Sequence, residues 1–418
     1  MLNLEHGGLF KRIMRSLIWF RNDYRLVNNR CYSRSVANTD CAGGVVLSSS
    51  HSWENIPVFS TSKVRVAFTD ECVQSLEREL QEQSKSFWHV QSPESFMRLL
   101  LEENIDMVFT TNDVGPNEEL DFQIMRGHLE RCGIPLFVEQ NHELFRREQW
   151  PQKPHRGFTH FSEWKRRVPT SPAFTVVKEI PNRDDSSSER IFMGGRKAGL
   201  RRLHDYFLHS RRLQHYQETR NGLLGDTYSS RLSPWLAFGC LDVNEVWQAV
   251  MEFEQVHGEN PSTNAFKQEL LWREYFRWVL SVHGRELFRE QGLSKKHPIW
   301  RQDDSDFSAW RRGETDSEFI NAIMNELLQT GFIGNRARQI AASYLVNELQ
   351  IDWRWGAAYF ESQLIDYDVA SNYGNWAYIA GVGTDPRGGR HFNLAYQQEQ
   401  HDPDGAYVRA WSQNKMYI

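Results

Sequence analysis

DMVFTTNDVGPNEELDFQIMRGHLERCGIPLFVEQ, residues 106–140, decides how the first third of the chain is read. DMVFTT (106–111) and PLFVEQ (135–140) are short apolar runs bounded by turn residues, the pattern of strands. NEELDFQIMRGHLERC (117–132) between them keeps a 3.6-residue apolar period with acidic residues in its first turn, the pattern of a helix. Strand, crossover helix and strand make a βαβ unit, and the alternation continues upstream. SLIWF (16–20), GGVVLSS (43–49) and SFWHVQ (86–91) read as strands, VAFTDECVQSLERELQEQ (66–83) and PESFMRLLLEE (93–103) as helices. The expectation is an α/β doubly wound, mostly parallel-sheet N-terminal domain over 14–144. No G-x-G-x-x-G follows the first strand, where the sequence is WFRNDYR (19–25), so a nucleotide held through that fingerprint is not expected in this half.

Residues 145–200 change character. Pro151, Pro154, Pro169, Pro172 and Pro181, with the polar tract RDDSSSER (183–190), predict a connector lying over the surface. Beyond it strand signals almost vanish. Helical periodicity dominates KAGLRRLHDYFLHSRRLQHYQ (197–217), LDVNEVWQAVMEFEQVH (241–257), AFKQELLWREYFRWVLSVHG (265–284), SEFINAIMNELLQTG (317–331) and RARQIAASYLVNELQI (336–351). Residues 201–418 therefore read as an all-α C-terminal domain.

Composition bounds the function classes. The chain has 418 residues, a net charge of -5 and 25% charged residues, which excludes a uniformly basic nucleic-acid coat but leaves room for a local basic face. No apolar run approaches the roughly 18–20 residues that span a bilayer, so no membrane partner is expected. The leader MLNLEHGGLFKRIM lacks an apolar core and reads as a frayed extension, with Met14 an alternative start. Cys31, Cys41, Cys72, Cys132 and Cys240 are odd in number, scattered and without zinc spacing, which fits a reduced cytoplasm. Fifteen tryptophans are unusual for a residue that needs both burial and a partner for its indole N–H.

Three stretches of the helical half are too polar for a bundle core. RNGLLGDTYSSRLSPWLAFG (220–239) puts glycines, hydroxyls and Arg231 before a helical run, which suits a loop holding phosphate oxygens; the commoner use of such a stretch is a helix cap. ELLWREYFRW (269–278) spaces Glu269, Trp272, Arg273 and Arg277 at i, i+3, i+4 and i+8, on one helix face. The ordinary reading is a solvated face of ion pairs, but an indole among those charges also makes a stacking platform for an unpaired base. IDYDVASNYGNWAYIAGVG (365–383) reads as a glycine-punctuated loop carrying Asp366, Asp368, Asn372 and Trp376 against a flat polar ligand. A hard metal wants more oxygen ligands than these two aspartates, so no metal is expected; Arg336 or Arg338 offers a charge partner for Asp366 or Asp368 instead.

In this order, WFRNDYRL, TRNG, GDTYSSRLSPWLAFG, ELLWREYFRW, TGFIGNRARQIAASYLV, IDWRWG, LIDYDVASNYGNWAYIAGVG and DPDGAYVRAW resemble the photolyase/cryptochrome flavoprotein family over about Ser16 to Trp411. NYGNWAY, the Gln after Arg338 and SSRLSPWLAFG are most similar to DASH-type cryptochromes. The resemblance implies FAD bound without a covalent link in the helical domain. Tyr216, Ser229, Ser230, Arg231, Leu232 and Ser233 match the family's phosphate-contacting positions, and Asn335, Arg338, Asp366, Asp368 and Asn372 those around the flavin ring and ribose.

The implied reaction is blue-light-driven electron transfer from reduced FAD to a cyclobutane pyrimidine dimer, with the electron returned after the ring splits. Glu269 matches the acid that hydrogen-bonds the dimer, Trp272 a wall of the lesion pocket, and Asn335 a further position of the reaction site. Trp376, Trp353 and Trp300 match the electron-transfer triad, while Trp235, Trp278, Trp310 and Trp355 read as core. Arg220, Arg273, Arg336 and Arg390 match DNA-backbone contacts. Tyr378 and Gln339 stand where double-strand photolyases usually carry Trp and Met, which favours single-stranded DNA, from which a dimer is extruded more cheaply. The partner implied is thus single-stranded or locally unpaired DNA carrying dimers, met by a monomer.

Asp316, Ser317, Glu318 and Asn321 depart from the family, which usually has Gly-Tyr-Pro and an Asp there. Glu119, in GPNEEL, matches the position that holds a methenyltetrahydrofolate antenna, although Glu118 and Glu119 equally suit an acidic helix start. A blue-light receptor is the competing reading; only seven residues follow Trp411, which argues against a signalling tail. A (6-4) photolyase needs a histidine pair that residues 334–339 do not offer.

Overall fold

The alternation in the first third becomes β1 (Arg15–Phe20), α1 (Arg30–Asn38), β2 (Asp40–Leu47), α2 (Lys63–Glu82), β3 (Ser86–Val90), α3 (Pro93–Glu102), β4 (Met107–Thr111), α4 (Pro116–Arg131) and β5 (Leu136–Glu139). The computed structural model describes residues 13–48, 56–155, 160–179, 190–295 and 298–412; the leader up to residue 12, Pro181 and the tract 183–189 lie outside the described residues. The strands form one sheet of order β3-β2-β1-β4-β5, every neighbouring pair parallel, so strand order reverses between β1 and β4. All five expected strands are present. α1 was not anticipated, because RCYSRSVAN buries only Cys31 and Ser35 and has no apolar stripe to read.

Successive residues of β1 serve different cores. Leu17 and Trp19 pack with Phe96, Leu100, Val108 and Met125 on one face, while Ile18 and Phe20 join the core shared with the helical half on the other. That is why the central strand reads as a continuous apolar run rather than an alternating one.

The remainder is helical: α5 (Phe161–Lys165), α6 (Arg196–His204), α7 (Tyr216–Thr219), α8 (Ser233–Ala237), α9 (Val243–His257), α10 (Pro261–His283), α11 (Asp304–Arg312), α12 (Glu318–Thr330), α13 (Asn335–Ser343), α14 (Trp353–Gln363), α15 (Val369–Ile379), α16 (Leu394–His401) and α17 (Ala406–Ser412). Among the described residues no helix is long and apolar enough to cross a membrane. The expected single helix over 197–217 is broken into α6, a π-turn at 205–209, a 3-10 turn at 212–215 and α7, with Arg211 in the left-handed region at φ 52°. The segment read as a loop at 365–383 contains α15. Its Gly374 is a packing residue: a Cβ there would lie 2.3 Å from the Phe276 ring on α10, so only glycine lets the two helices approach so closely.

The connector does more than cover the surface. Phe145 and Trp164 are fully buried. Glu274 on α10 accepts the Leu144 and Phe145 amides at 3.0 and 3.1 Å and the Trp150 indole N–H at 3.0 Å, which pins the start of the connector to the helical half. Burial and the nearby Glu143 push the Glu274 carboxyl up to about 7.

The sheet and the helices also meet through a charge. Arg277 of α10, 1% exposed, lies 2.8 Å from Asp113 in the loop after β4, 3.5 Å from Glu143 and 3.4 Å from Asp368, the N-cap of α15. Burial opposes ionisation of Asp113, yet Arg277 and His142 hold its carboxyl far below the ordinary carboxylate range. Its stabilisation is therefore present in full above the ordinary carboxylate range and is lost progressively as pH falls from that range toward the lowered value. Replacing Arg277 by Leu strands these carboxylates in the interior and is expected to destabilise the protein by about 3–5 kcal/mol. Equilibrium urea unfolding checks this, and a change under about 1 kcal/mol would show that water answers the carboxylates instead.

Candidate functional site

One cavity of about 300 Å³ opens between α7, α8, α10, α13 and α15. Its wall carries Tyr216, Ser229, Ser230, Arg231, Leu232, Ser233, Asn335, Arg338, Asp366, Asp368 and Asn372, together with Glu269, Arg220, Arg273, Gln339 and Trp376. These residues lie up to 160 positions apart in sequence, and the fold gathers them at one place.

The end of the cavity near α8 is cationic and rich in hydroxyls. Arg231 takes the left-handed conformation at φ 53°, uncommon outside glycine and a mark of a locally constrained backbone. One of its terminal N–H groups donates to the Gly225 carbonyl, and its buried Nε has no protein partner. Arg202 braces the loop from behind, donating to the carbonyls of Ser230 at 2.8 Å, Asp226 at 2.7 Å and Ser229 at 3.2 Å. Sequence reasoning missed Arg202, because one arginine among several in RRLHDYF gives no signal of which carbonyls it will meet.

Asp366 is fixed from two sides. Arg338 binds it with one nitrogen at 3.0 and 2.8 Å from the two carboxylate oxygens, and the Ser233 hydroxyl donates to it at 2.6 Å. The residue pattern alone left the partners open and the family resemblance implied Arg338 with Asp366; the structure pairs Arg338 with Asp366 and Arg277, not Arg336 or Arg338, with Asp368. Asp368 caps α15 by accepting the Ser371 amide at 2.7 Å. Asn372, one turn into α15, donates through Nδ2 to the Ala357 carbonyl at 2.9 Å and is held against α14. Phe332, Ile333, Leu236, Phe360 and Ile379 supply the apolar wall.

The polar face of ELLWREYFRW divides on folding. Glu269 is paired with Arg220 at the cavity wall, its side chain about one third exposed at 34%. Desolvation raises its pKa, against the pull of Arg220. Arg277 turns into the core as described, and Arg273 donates to the His142 carbonyl at 2.7 Å. Arg273 is therefore directed at the sheet half rather than at an outer rim. Trp272 stacks face to face on Phe161 of the connector, centroids 3.8 Å apart at 10°, and meets Tyr378 edge-on at 5.9 Å. It does not line the cavity itself; Phe161 was not anticipated, because it lies more than a hundred residues from Trp272 in the chain.

Arg390 donates to Asp385 at 2.9 Å and to the Tyr378 hydroxyl at 2.9 Å. Arg336 reaches Asn221 at 3.3 Å, keeps a buried Nε without a protein partner and has its pKa lowered by burial and by the neighbouring Arg220.

The three marked tryptophans divide between the cavity wall and the Glu290 carbonyl. Trp376 is on the wall. Its ring rests where a Cβ on Gly356 of α14 would come within 2.2 Å. Trp353, at the start of α14, and Trp300 donate their indole N–H groups to one acceptor, the Glu290 carbonyl, at 3.0 and 3.3 Å. Trp235, Trp278, Trp310 and Trp355 are buried in the core, as expected.

At the sheet half, Glu119 accepts from Asn112 at 3.0 Å and from Gln123. Glu118 differs: one of its carboxylate oxygens is buried without a partner, and burial with the nearby Asp113 pushes its pKa up to about 8.

The donor set fits a dinucleotide flavin: hydroxyls and an unpartnered guanidinium Nε, a carboxylate fixed by Arg338 and Ser233, and apolar side chains share the wall with Asn372 and Trp376. Comparison with known proteins agrees. Residues 16–182 match the family model described as DNA photolyase, and residues 266–414 the FAD binding domain of DNA photolyase. The cryptochrome DASH of Idiomarina loihiensis is 35% identical over 420 residues, 95% of this chain and 92% of that protein. The cryptochrome DASH of Synechocystis sp. is 51% identical over 227 residues, a match covering 54% of this chain and 46% of that protein. The crystal structure of a Synechocystis cryptochrome superposes with a TM-score of 0.83 at 35% identity, over 96% of this chain and 89% of that one. An archaeal photolyase from Sulfolobus tokodaii, solved with two FAD molecules, does so at 0.73 and 25% identity, over 96% and 90%. With its parallel-sheet domain, its helical FAD-binding domain and full-length relatives of this kind, the chain belongs to the photolyase/cryptochrome flavoprotein family, among the DASH-type cryptochromes.

Proposed function

We propose that the protein is a light-driven lyase that splits cyclobutane pyrimidine dimers in single-stranded DNA, with FAD held in the cavity between α8, α10, α13 and α15. The observation that supports this most is a single cavity whose wall carries all eleven residues expected around FAD and, beside them, Glu269 and Trp376. Bound FAD supplies blue-light absorption and the transfer of single electrons.

The chain's own residues bind, orient and exclude water. Ser229, Ser230, Arg231 and Ser233 hold the phosphates, with the unpartnered Nε of Arg231 as a charge-assisted donor. Asp366, already fixed by Arg338 and Ser233, orients without having to move. Replacing Asp366 by Asn weakens the Arg338 clamp and is expected to lower FAD affinity by about 10- to 100-fold, the worth of a charged hydrogen bond. FAD retained through gel filtration reads this directly, and wild-type retention would remove Asp366 from the site.

Glu269 presents its acid to a dimer carbonyl, for which it must be protonated to donate. Desolvation favours that form, so activity is expected to fall as pH rises through the raised pKa of Glu269. Glu269→Gln keeps a donor and should retain repair with a flatter pH profile, whereas Glu269→Ala should lose about 100-fold or more. The measurement is repair of dimer-containing single strands in light and dark. Equal activity in all three proteins would sink the role given to Glu269.

Arg220, Arg336 and Arg390 steady the strand through its phosphates. Trp272, backed by Phe161, forms a wall for the extruded bases, and Tyr378 and Gln339 keep that pocket polar enough to favour unpaired substrates. Asn335, at the start of α13 and on the cavity wall, orients the reacting groups. Trp376, Trp353 and Trp300 carry electrons between cavity and surface. Trp353→Phe is expected to slow photoreduction by an added reductant while leaving FAD content in the dark unchanged, as followed by absorption; an unchanged rate would place the path elsewhere. On this reading the protein works as a monomer in the cytoplasm, which suits its free cysteines, and a folate antenna sits by Glu119.

The cryptochrome names of the relatives favour a second reading, a blue-light receptor using the same flavin and tryptophans. Illuminated protein that leaves dimers intact but gains or loses a binding partner would select it.

A further inference from the structure

α15 places Tyr373 one turn before Trp376. Tyr373 is fully buried, and its ring meets the Trp353 indole edge-on, centroids 6.3 Å apart at 78°. Its hydroxyl donates to Glu361 Oε2 at 2.8 Å. Glu361 belongs to α14, the helix that also begins with Trp353. Arg65, Tyr367 and Glu118 are the other titratable groups near Glu361, Glu118 and Arg354 also act on Tyr373, and Arg65 itself lies over the Tyr367 ring at 4.8 Å.

A phenol gives up an electron readily only when its proton leaves with it, so a redox-active tyrosine needs an oxidant at its ring and a base at its oxygen. Tyr373 has both an indole in contact and a carboxylate within the distance required for proton transfer. Trp353 and Trp300 lack the second feature. Both donate their N–H groups to the same backbone carbonyl, an oxygen that accepts a hydrogen bond but does not take a proton.

We propose that Tyr373 is an electron donor to Trp353, with Glu361 as the acceptor of its phenolic proton. This rests on the reading of Trp376 and Trp353 as an electron path, in which the light-excited bound flavin is the oxidant that withdraws the first electron. One electron passes from the Tyr373 ring to the Trp353 radical cation. The Tyr373 O–H bond breaks and its proton bonds to Glu361 Oε2. Trp353 returns to neutral indole, Tyr373 becomes a neutral phenoxyl radical, and Glu361 becomes the neutral acid. Burial, by raising the proton affinity of Glu361, favours the transfer. The charge generated along the path is thereby neutralised inside the protein, before it reaches Trp300.

The test is time-resolved absorption and electron paramagnetic resonance on the FAD-loaded protein after a light pulse, comparing wild type with Tyr373→Phe and Glu361→Gln. Wild type should show a tyrosyl radical replacing an oxidised tryptophan, with decay of the latter slowed in deuterated solvent. In both variants the oxidised tryptophan should live about 100-fold longer, the lower range of what a positioned proton acceptor contributes, and the tyrosyl signal and solvent isotope effect should vanish. Glu361→Gln keeps the Tyr373 ring in place, so a packing change at Tyr373 cannot account for its result. Decay at the wild-type rate in both variants would overturn the role of Tyr373 while leaving the tryptophan path intact. Absence of any oxidised tryptophan in wild type would overturn the path itself, and this inference with it.

Discussion

A guanidinium that is 1% exposed must have its charge answered inside the protein, and Arg277 is answered by carboxylates from three parts of the chain. Taking such an ion out of water costs several kcal/mol, and its mutual attraction with buried carboxylates offsets that only when the geometry is kept. The consequence is coupling more than stability. Asp113 belongs to the loop after β4, Glu143 to the segment after β5, and Asp368 is the cap of α15 on the cavity wall. The sheet therefore cannot shift against α10 without unpairing a buried charge next to the cavity. Glu274, one turn from Arg277 on the same helix, extends the constraint to the connector through three N–H donors.

Close approach of helices is the second constraint. α15 is squeezed between α10 and α14, with Gly374 against Phe276 on one side and Trp376 against Gly356 on the other. A β-carbon at either glycine would push Asn372 and Trp376 out of line with the cavity. Glycine inside a helix costs roughly 1 kcal/mol relative to alanine, and here that cost is offset by contact distance. The same residue carried the misreading of this segment as a loop: glycine punctuates turns far more often than it packs helices, and no local signal separates the two uses.

What the chain displays of itself follows from which interactions are local. All five strands, the crossover helices α2, α3 and α4, and the long helices α9, α10 and α12 announce themselves through period and caps, as with Asn260 accepting the Ser262 and Thr263 amides at 2.8 and 3.0 Å ahead of α10. α11 and α14 do not: α11 is nine residues long and buries only Phe307 and Trp310, and α14 is buried on nearly every side, which erases the stripe that periodicity needs. The residues around the cavity were legible through family likeness rather than through pattern, and the cavity wall indeed brings the cofactor positions together. Long-range partners were not legible in any way. Phe161 on Trp272, Arg202 behind Ser229 and Ser230, and the inward turns of Arg273 and Arg277 are set by how distant helices pack, which a spacing of i, i+4 and i+8 cannot express.

The stretch WFRNDYR shows what became of the sheet's own ligand site. A doubly wound sheet binds nucleotides where strand order reverses, here between the ends of β1 and β4. In this chain that crevice is filled by its own polar side chains. Arg25, fully buried, donates to the Gly239 carbonyl at 2.8 Å, to the Asn141 carbonyl at 2.9 Å and to Asp242 at 3.2 Å, all but one of these partners in the helical half. Asp23 accepts from Asn29 at 3.1 Å and Asn141 at 2.9 Å, and His142 binds the Arg21 carbonyl at 3.1 Å. Glycines would have opened this turn to a pyrophosphate; arginines and an aspartate close it onto another part of the protein instead. The residues that exclude a nucleotide from the sheet are thus the ones that dock it onto the helices, where the cavity lies.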